Sequence, residues 1–254
     1  MGVFAERMKK RVPLDTEEIA FLDELEAKPV SFAAHQVVAR AGDPTHHAFV
    51  LQSGWVMSYT RFANGSHQVR RLHFPGDLLA MPSVPMCHHA EDIETLTNCI
   101  IAPFDKRLLV GLFKLPRLAA VMYMFAQAER ISAGDRLSCL GGTKGKGRLA
   151  FLLADILTRL RSVEGTSISS FRMHLTREQM GYVTGMSAVH ASRMWSELII
   201  DGVIRWAPPI ITVLDEDRLL RLSGYLDRDR DFDVGWLSGV TPEDHHPELT
   251  SAAT

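Results

Sequence analysis

The hydrophobic pattern of the chain changes twice between its two ends. Residues 14–27 carry Ile19, Leu22 and Leu25 at helical spacing among acidic residues, which predicts an amphipathic helix. From about residue 30 to residue 105, short alternating apolar runs are separated by turns that contain Gly, Pro or Asn. Several short strands at this spacing predict an antiparallel β-roll.

One turn of this region has a strong sequence signal. Asn64-Gly65 stands between two alternating runs. This dipeptide favours the type I′ turn of a hairpin, because both central residues of that turn need a positive φ. We therefore predict a hairpin closed by these two residues.

Helical spacing returns after the strands. Apolar residues at three- and four-residue steps predict a long helix from about Leu118 to Ser138. Its apolar stripe must be covered, either by the chain's own roll or by the same helix of a second subunit. Residues 141–147, GGTKGKG, predict a flexible basic joint, since they lack the GxxxxGK[ST] spacing of a phosphate-binding loop. A further amphipathic helix is predicted over residues 148–162.

The segment after that helix predicts two short helices joined by a tight turn. Thr176 and Gln179 fit a capping box, so the first helix begins there. Ser187 can cap a second helix, which runs to about residue 200. The runs GVIRW and IITVL flank residues 207–209 and predict a short β-hairpin, a wing. Together these elements predict a winged helix-turn-helix.

The second short helix has one apolar and one polar face. The residues whose helical spacing predicts the buried face are Ala191, Met194, Trp195 and Leu198. In DNA-binding helix-turn-helix proteins, the N-terminal turns of this helix enter the major groove. The candidate DNA-contacting residues are Thr176, Arg177, Ser187, Ala188, Val189, His190, Ser192 and Arg193.

The chemistry of these side chains suggests a role for each kind. Arg193 can donate two hydrogen bonds to O6 and N7 of guanine, and Val189 can pack on a thymine methyl group. Thr176 and Ser187, with the backbone N–H groups at the two helix starts, suit phosphate. His190 can contact either a base edge or a phosphate, and the residues alone leave both roles open.

Composition and charge fit this interpretation. The chain has 254 residues and 46% hydrophobic residues, which is typical of a soluble globular protein. Residues 140–214 carry nine basic and five acidic side chains, whereas residues 215–254 carry four basic and ten acidic. The local basic excess can attract phosphate. No apolar run approaches the roughly 20 residues of a membrane span, and no signal peptide is evident, so we expect a cytoplasmic protein without a membrane partner.

The element order and the run LTREQMGYVTGMSAVHASRMWSELIIDGVI resemble the Crp/Fnr family of bacterial transcription regulators over about residues 30 to 213. The resemblance implies an α+β fold: an N-terminal antiparallel β-roll, which is a jelly roll of the cyclic-nucleotide-binding type, a long dimerisation helix and a C-terminal winged helix-turn-helix. It also implies a homodimer on a two-fold symmetric double-stranded DNA operator, with RNA polymerase as a further partner.

This resemblance divides the chain into four segments. Residues 1–117 form the sensor-like roll with its N-terminal helix, and residues 118–139 form the dimerisation helix. Residues 140–214 form the DNA-binding domain, and residues 215–254 form an acidic extension whose final twenty residues are expected to be disordered.

The effector that the roll would bind is not identified by the sequence. Cyclic-nucleotide-binding members of the family pair a Gly-Glu with a downstream Arg. Here Leu79-Ala80-Met81-Pro82 and the acidic run HHAEDIE occupy those places, which argues against cAMP or cGMP. Iron–sulfur members use N-terminal cysteines, which this chain lacks. Haem on His73, His88 or His89, with Met81 or Met86 nearby, is an alternative, but no cofactor is expected.

The cysteines and the paired histidines allow two other interpretations, a redox sensor and a metal enzyme. The cysteines Cys87, Cys99 and Cys139 show no CxxC pair and are expected to be reduced thiols, with redox sensing as the alternative. A roll with His46-His47 and His88-His89 could instead be a cupin-like metal enzyme. Adjacent histidines on a strand point to opposite faces, so each pair offers only one inward ligand. We therefore predict a regulator, not an enzyme, and no metal site.

Overall fold

The computed structural model describes residues 1–165, 167–228, 233 and 235–237. Of the final twenty residues, for which disorder is predicted, Gly235–Leu237 form a single 3-10 turn and residues 238–254 lie outside this range. Two helices open the chain, α1 (Val3–Lys9) and α2 (Thr16–Leu25). Helix α2 begins at the capping box that Asp15 forms with Glu18. Sequence reasoning missed α1, whose few apolar residues are interleaved with charges.

The predicted β-roll is confirmed. Its strands are β1 (Val30–Phe32), β2 (Val37–Ala39), β3 (His47–Ser53), β4 (Val56–Arg61), β5 (His67–His73), β6 (Leu78–Leu79), β7 (Asp92–Thr95) and β8 (Cys99–Asp105). They pair antiparallel in two four-stranded sheets, ordered β1-β8-β3-β6 and β2-β7-β4-β5. Apolar residues of both sheets, among them Leu51, Val56 and Ile101, meet inside the roll.

The β4–β5 hairpin forms where the sequence predicts it, but with a different turn. Gly65 has φ 81°, whereas Asn64 is not among the residues with positive φ. The N–H of Gly65 donates to the carbonyl of Phe62, and the N–H of Phe62 donates to the carbonyl of Ser66. This is a longer loop with glycine in the left-handed position, not a two-residue type I′ turn. The type I′ prediction is therefore wrong.

Most of the glycine-rich segment, for which a flexible joint is predicted, lies within helices. Helix α3 (Pro116–Gly142) and helix α4 (Gly145–Glu164) leave only Thr143 and Lys144 between them. A Cβ at Gly147 would lie 2.7 Å from the carbonyl oxygen of Leu222, so this glycine permits close packing. We call the Thr143-Lys144 connection the α3–α4 joint.

The C-terminal half follows the predicted plan. It consists of β9 (Ser170–Arg172), α5 (Arg177–Thr184), α6 (Ala188–Ile200), β10 (Ile204–Ala207), β11 (Ile210–Val213) and α7 (Glu216–Ser223). The wing β10–β11 gains a third strand, β9, which the sequence pattern does not indicate. Helix α7 packs on α4 and holds it by an ion pair between Glu216 and Arg161.

The two halves share one hydrophobic core. Residues from the outer face of β4 and β5 belong to the same buried cluster as residues of α4, α5 and α6. The members from the roll include Met57, Tyr59, Val69 and Leu72. The C-terminal half is therefore docked on the roll, and β5 contacts α5 directly.

A buried carboxylate reinforces this docking. The Asp77 side chain is 3% exposed and forms ion pairs with Arg7 of α1 and Arg159 of α4. Arg71 of β5 lies 3.7 Å from the same carboxylate and is also paired with Glu129 of α3. Asp77 thus links the roll to three helices.

The Asp77 carboxylate stays charged although it is buried. Burial alone would raise the pKa of Asp77, but the guanidinium groups of Arg159, Arg7 and Arg71 outweigh it and hold the pKa well below its usual range. Burial and repulsion from Arg159 lower the pKa of Arg71 to about 9. The carboxylate is therefore ionised whenever the protein is folded near neutral pH.

We expect Asp77→Asn to lower the free energy of unfolding by roughly 3–5 kcal/mol at neutral pH, because it leaves buried arginines without their counter-charge. The pKa of Asp77 is lower in the folded than in the unfolded chain. Its contribution is therefore complete above the unfolded pKa of about 4 and is lost as the pH falls further. Urea midpoints measured at neutral and acidic pH should converge for wild type and variant as acid is added.

Asp105→Asn is the matched control, since Asp105 is more exposed and pairs with its neighbour Arg107. We expect its urea midpoint at neutral pH to equal that of the wild type. Equal midpoints for wild type and Asp77→Asn at neutral pH would contradict the assigned role of Asp77.

Candidate nucleic-acid interface

The helix-turn-helix is built from the predicted caps. The Thr176 hydroxyl accepts a hydrogen bond from the N–H of Gln179 at 3.1 Å, and the Gln179 side chain accepts from the N–H of Thr176 at 2.9 Å. Helix α5 ends at Gly185, whose φ of 64° suits glycine. A Cβ at Gly181 would lie 2.5 Å from the carbonyl oxygen of Met186, so the turn folds back against a bare backbone.

Helix α6 buries the predicted face. Ser187 caps it by accepting from the N–H of His190 at 3.2 Å. The buried residues are Ala191, Met194, Trp195 and Leu198, which confirms the periodicity argument. Packing of this face against α4 and α5 fixes which side of the helix is turned to solvent.

The opposite side of α6 is open. Val189 is 81% exposed, and Arg193 is exposed one turn further along. Ala188, His190 and Ser192 are half-buried beside them. We call the side formed by these five residues the reading edge. It brings most of the predicted base-contacting residues together on one surface.

Arg177 sits differently from the other candidates. Its guanidinium stacks over the Trp195 ring at 3.9 Å from the ring centroid, and its Nη1 lies 3.4 Å from the Sδ of Met180. Burial lowers the pKa of Arg177. The side chain therefore covers the aromatic core of the helix-turn-helix, and any phosphate contact would use only the part of the guanidinium that remains accessible.

The wing adds a residue that sequence reasoning overlooked. Arg205 on β10 is exposed, and its cross-strand partner is Thr212 of β11. The sequence could have indicated its exposure, because Arg205 follows the buried Ile204 and adjacent residues of a strand point to opposite faces. Arg205 is a further candidate for a phosphate contact. Lys146 is less available, since it pairs with Glu197 and Asp201.

The turn after strand β6 contains one residue with a left-handed backbone. Ala80 has φ 62°, a left-handed conformation that favours glycine. Its carbonyl accepts from the N–H of Ser83, whose hydroxyl accepts from the N–H of Ala90 at 2.9 Å. Nearby, burial raises the pKa of Glu91, and Arg70 lies 3.6 Å from its carboxylate. A buried acid there does not suit a phosphate.

The histidines that are candidate haem ligands have different surroundings. His73 is buried, with Nε2 3.2 Å from the Ser58 hydroxyl, and burial with the nearby Arg71 lowers its pKa well below the usual range. His89 is also buried, and burial lowers its pKa. Among the residues that the structure describes, no group of three or more His, Cys, Asp or Glu side chains is arranged to hold a metal ion. Cys87 is exposed, and the other two cysteines are buried.

Two family models match this chain. Residues 29–114 match the cyclic nucleotide-binding domain, and residues 147–222 match the Crp-like helix-turn-helix domain. The anaerobic regulatory protein of Haemophilus influenzae is 29% identical over 215 residues, which is 83% of this chain and 82% of that protein. The chain belongs to the Crp/Fnr family of transcription regulators.

Further comparisons agree with this assignment. The fumarate and nitrate reduction regulatory protein of Escherichia coli is 25% identical over 213 residues, which is 84% of this chain and 85% of that protein. Among solved structures, FixK2 from Bradyrhizobium japonicum superposes with a TM-score of 0.70 at 19% identity, covering 79% of this chain and 98% of FixK2. This likeness confirms the α+β fold of a Crp/Fnr regulator.

The family assignment accounts for the helix-turn-helix: the chain is a DNA-binding transcription regulator. The proteins it resembles are named as regulators, not as enzymes. Within the part of the chain that the structure describes, no helix is both long and apolar enough to cross a membrane. The individual DNA contacts on the reading edge remain predictions.

Proposed function

We propose that this Crp/Fnr regulator is a homodimer that reads a two-fold symmetric DNA operator with one α6 helix in each half-site. The observation that carries the proposal is the reading edge, where Arg193 and Val189 are exposed on a helix whose other side is fixed by the core. Arg193 would donate to a guanine, and Val189 would pack on a thymine methyl.

The phosphate contacts would come from the helix starts and the wing. Thr176 and Ser187 cap α5 and α6, so their backbone N–H groups and hydroxyls lie where the helices begin. Arg205 extends this surface on the wing, and Arg177 would contribute from its place over Trp195. These contacts would position the protein without reading the sequence.

Helix α3 supports the homodimer. Its buried residues Leu118 and Val121 pack on the chain's own roll and α1. Other apolar residues of the same helix are turned to solvent: Tyr123 is 64% exposed, Ile131 47% and Leu137 71%. A second copy of α3 would cover them. The pair of chains would then hold two α6 helices roughly 34 Å apart, one DNA turn.

Several features support a regulator that does not use a cyclic nucleotide. Ala80 has the left-handed backbone that favours glycine, and the buried carboxylate of Glu91 would repel a phosphate group nearby. No cofactor is assigned, and an effector other than a cyclic nucleotide would act by shifting the geometry of the two α6 helices. As a transcription regulator, the protein would act in the cytoplasm, on promoter DNA, with RNA polymerase as its protein partner.

Arg193→Ala should weaken binding to the preferred operator by about 1–3 kcal/mol and relax the preference for one base pair in each half-site. Arg205→Ala, in contrast, should weaken binding to all sequences alike and reduce the salt dependence. Both effects can be measured by titrating an operator selected from random duplexes, and its base-substituted versions, at several salt concentrations. Uniform weakening by Arg193→Ala would show that this residue contacts phosphate.

Ile131→Glu should convert the dimer to a monomer, because it buries a charge in the α3 contact, and should lower operator affinity. Sedimentation velocity gives the assembly state directly. Val30→Glu is the control, since Val30 is equally an exposed apolar residue but lies on strand β1. A dimer that persists in Ile131→Glu would place the subunit contact elsewhere.

Calorimetric titration with cAMP and with cGMP should give no binding heat, because the buried Glu91 carboxylate would repel the phosphate and the nearby Arg70 is already paired with it. Glu91→Gln serves as the comparison, since removing the charge removes the repulsion. Saturable binding by the wild type would refute this part of the proposal.

A further inference from the structure

We infer that His190 is a positioning residue for Arg193, the side chain proposed to read guanine. Through His190, the position of the α3–α4 joint determines where the Arg193 guanidinium lies. This inference deepens the proposed function and rests on it, because it takes Arg193 as the base contact. It assigns His190 neither of the two roles that its sequence position left open.

The first observation is the bond between the two side chains. Arg193 Nη2 lies 2.9 Å from His190 Nδ1. A guanidinium can only donate, so Nδ1 must accept, and the neutral ring then carries its proton on Nε2. The pair lies three residues apart along α6, where side chains of one helix face meet. His190 thereby restricts the rotamers of an arginine that is otherwise exposed.

The second observation is the contact on the other edge of the ring. A Cβ built at Gly145 would lie 2.5 Å from Nε2 of His190 and 2.8 Å from Sδ of Met186. The imidazole therefore lies directly against the backbone at the first residue of α4, in a space that only glycine leaves open. Its two nitrogens face Arg193 and Gly145, so neither is free to read a base in this arrangement.

The third observation is that α4 and α6 are tied together at this point. Lys146, the next residue of α4, has its Nζ 2.7 Å from Asp201 and 3.1 Å from Glu197 of α6. The start of α4 follows the end of α3 after two residues. The start of α4 is therefore held in place against α6, and His190 is the side chain that connects Gly145, beside the α3–α4 joint, to Arg193.

The experiment measures discrimination and not only affinity. An operator is first selected with wild-type protein from random duplexes. Each base pair of this operator is then substituted in turn, and the base pair read by Arg193 is the one at which Arg193→Ala no longer distinguishes the substituted from the selected duplex. Discrimination is the ratio of the dissociation constants for the substituted and the selected duplex. We expect His190→Ala and Gly145→Ala each to lower this ratio by about threefold to tenfold, a part of the discrimination of a bidentate pair.

Gly142→Ala is the matched control, because nothing lies within 4 Å of a Cβ built there, in the same glycine-rich segment. Its discrimination ratio should equal that of the wild type. Affinity for a random-sequence duplex should be unchanged in all three variants, since no phosphate contact is removed.

Two double variants make the inference specific. Gly145→Ala added to His190→Ala should lower the ratio no further, because the ring is already absent and the other close atom, Sδ of Met186, belongs to a flexible side chain that can move aside. His190→Asn should restore the ratio, since its amide oxygen can accept from Arg193, and it should tolerate Gly145→Ala. Unchanged thermal midpoints confirm that each variant is folded, and the His190 series tests the inference should Gly145→Ala unfold.

Three results would overturn the inference. Equal weakening of all duplexes by His190→Ala would make His190 a phosphate contact. If the double variant Gly145→Ala, His190→Ala lost the sum of the two single losses in discrimination, the joint would not act through the His190 ring. If Arg193→Ala itself left discrimination unchanged while wild-type protein still selected an operator, the assignment of Arg193 in the proposed function would fail first, and this inference with it.

Discussion

The buried carboxylate of Asp77 is the constraint on which the arrangement of this protein depends. It lies at a turn of the roll, yet its ion pairs reach α1 and α4, and Arg71 connects it to α3. A charge that is 3% exposed is tolerable only while its partners stay in place. The position of the DNA-binding half on the roll is therefore specified by electrostatics as well as by apolar packing.

The sequence was sufficient to predict the parts of the molecule whose structure is determined locally. Alternating runs and turn residues located the strands of the roll. The caps Thr176 and Ser187 located α5 and α6, and helical periodicity identified the buried face of α6. Each of these rests on interactions between residues close in the chain, so a single sequence carries the signal.

The features that sequence reasoning missed depend on contacts between distant residues. Gly145 and Gly147 indicated flexibility, but they are glycines because His190 and Leu222 approach their backbones. Arg177 stood among the candidate DNA contacts, and its stacking on Trp195 could not be foreseen from spacing. Nothing in the sequence around Asp77 indicates its role, because Arg7 and Arg159 lie far from it in the chain.

The shared core of the roll and the C-terminal half has a consequence for how this molecule unfolds and evolves. The two family models treat these halves as separate modules, but Tyr59 and Leu72 of one belong to the same buried cluster as Leu153 and Trp195 of the other. Separating them would expose apolar surface on both, so the halves form one cooperative unit. Exchange of either half between relatives would require the surface of its partner to change as well.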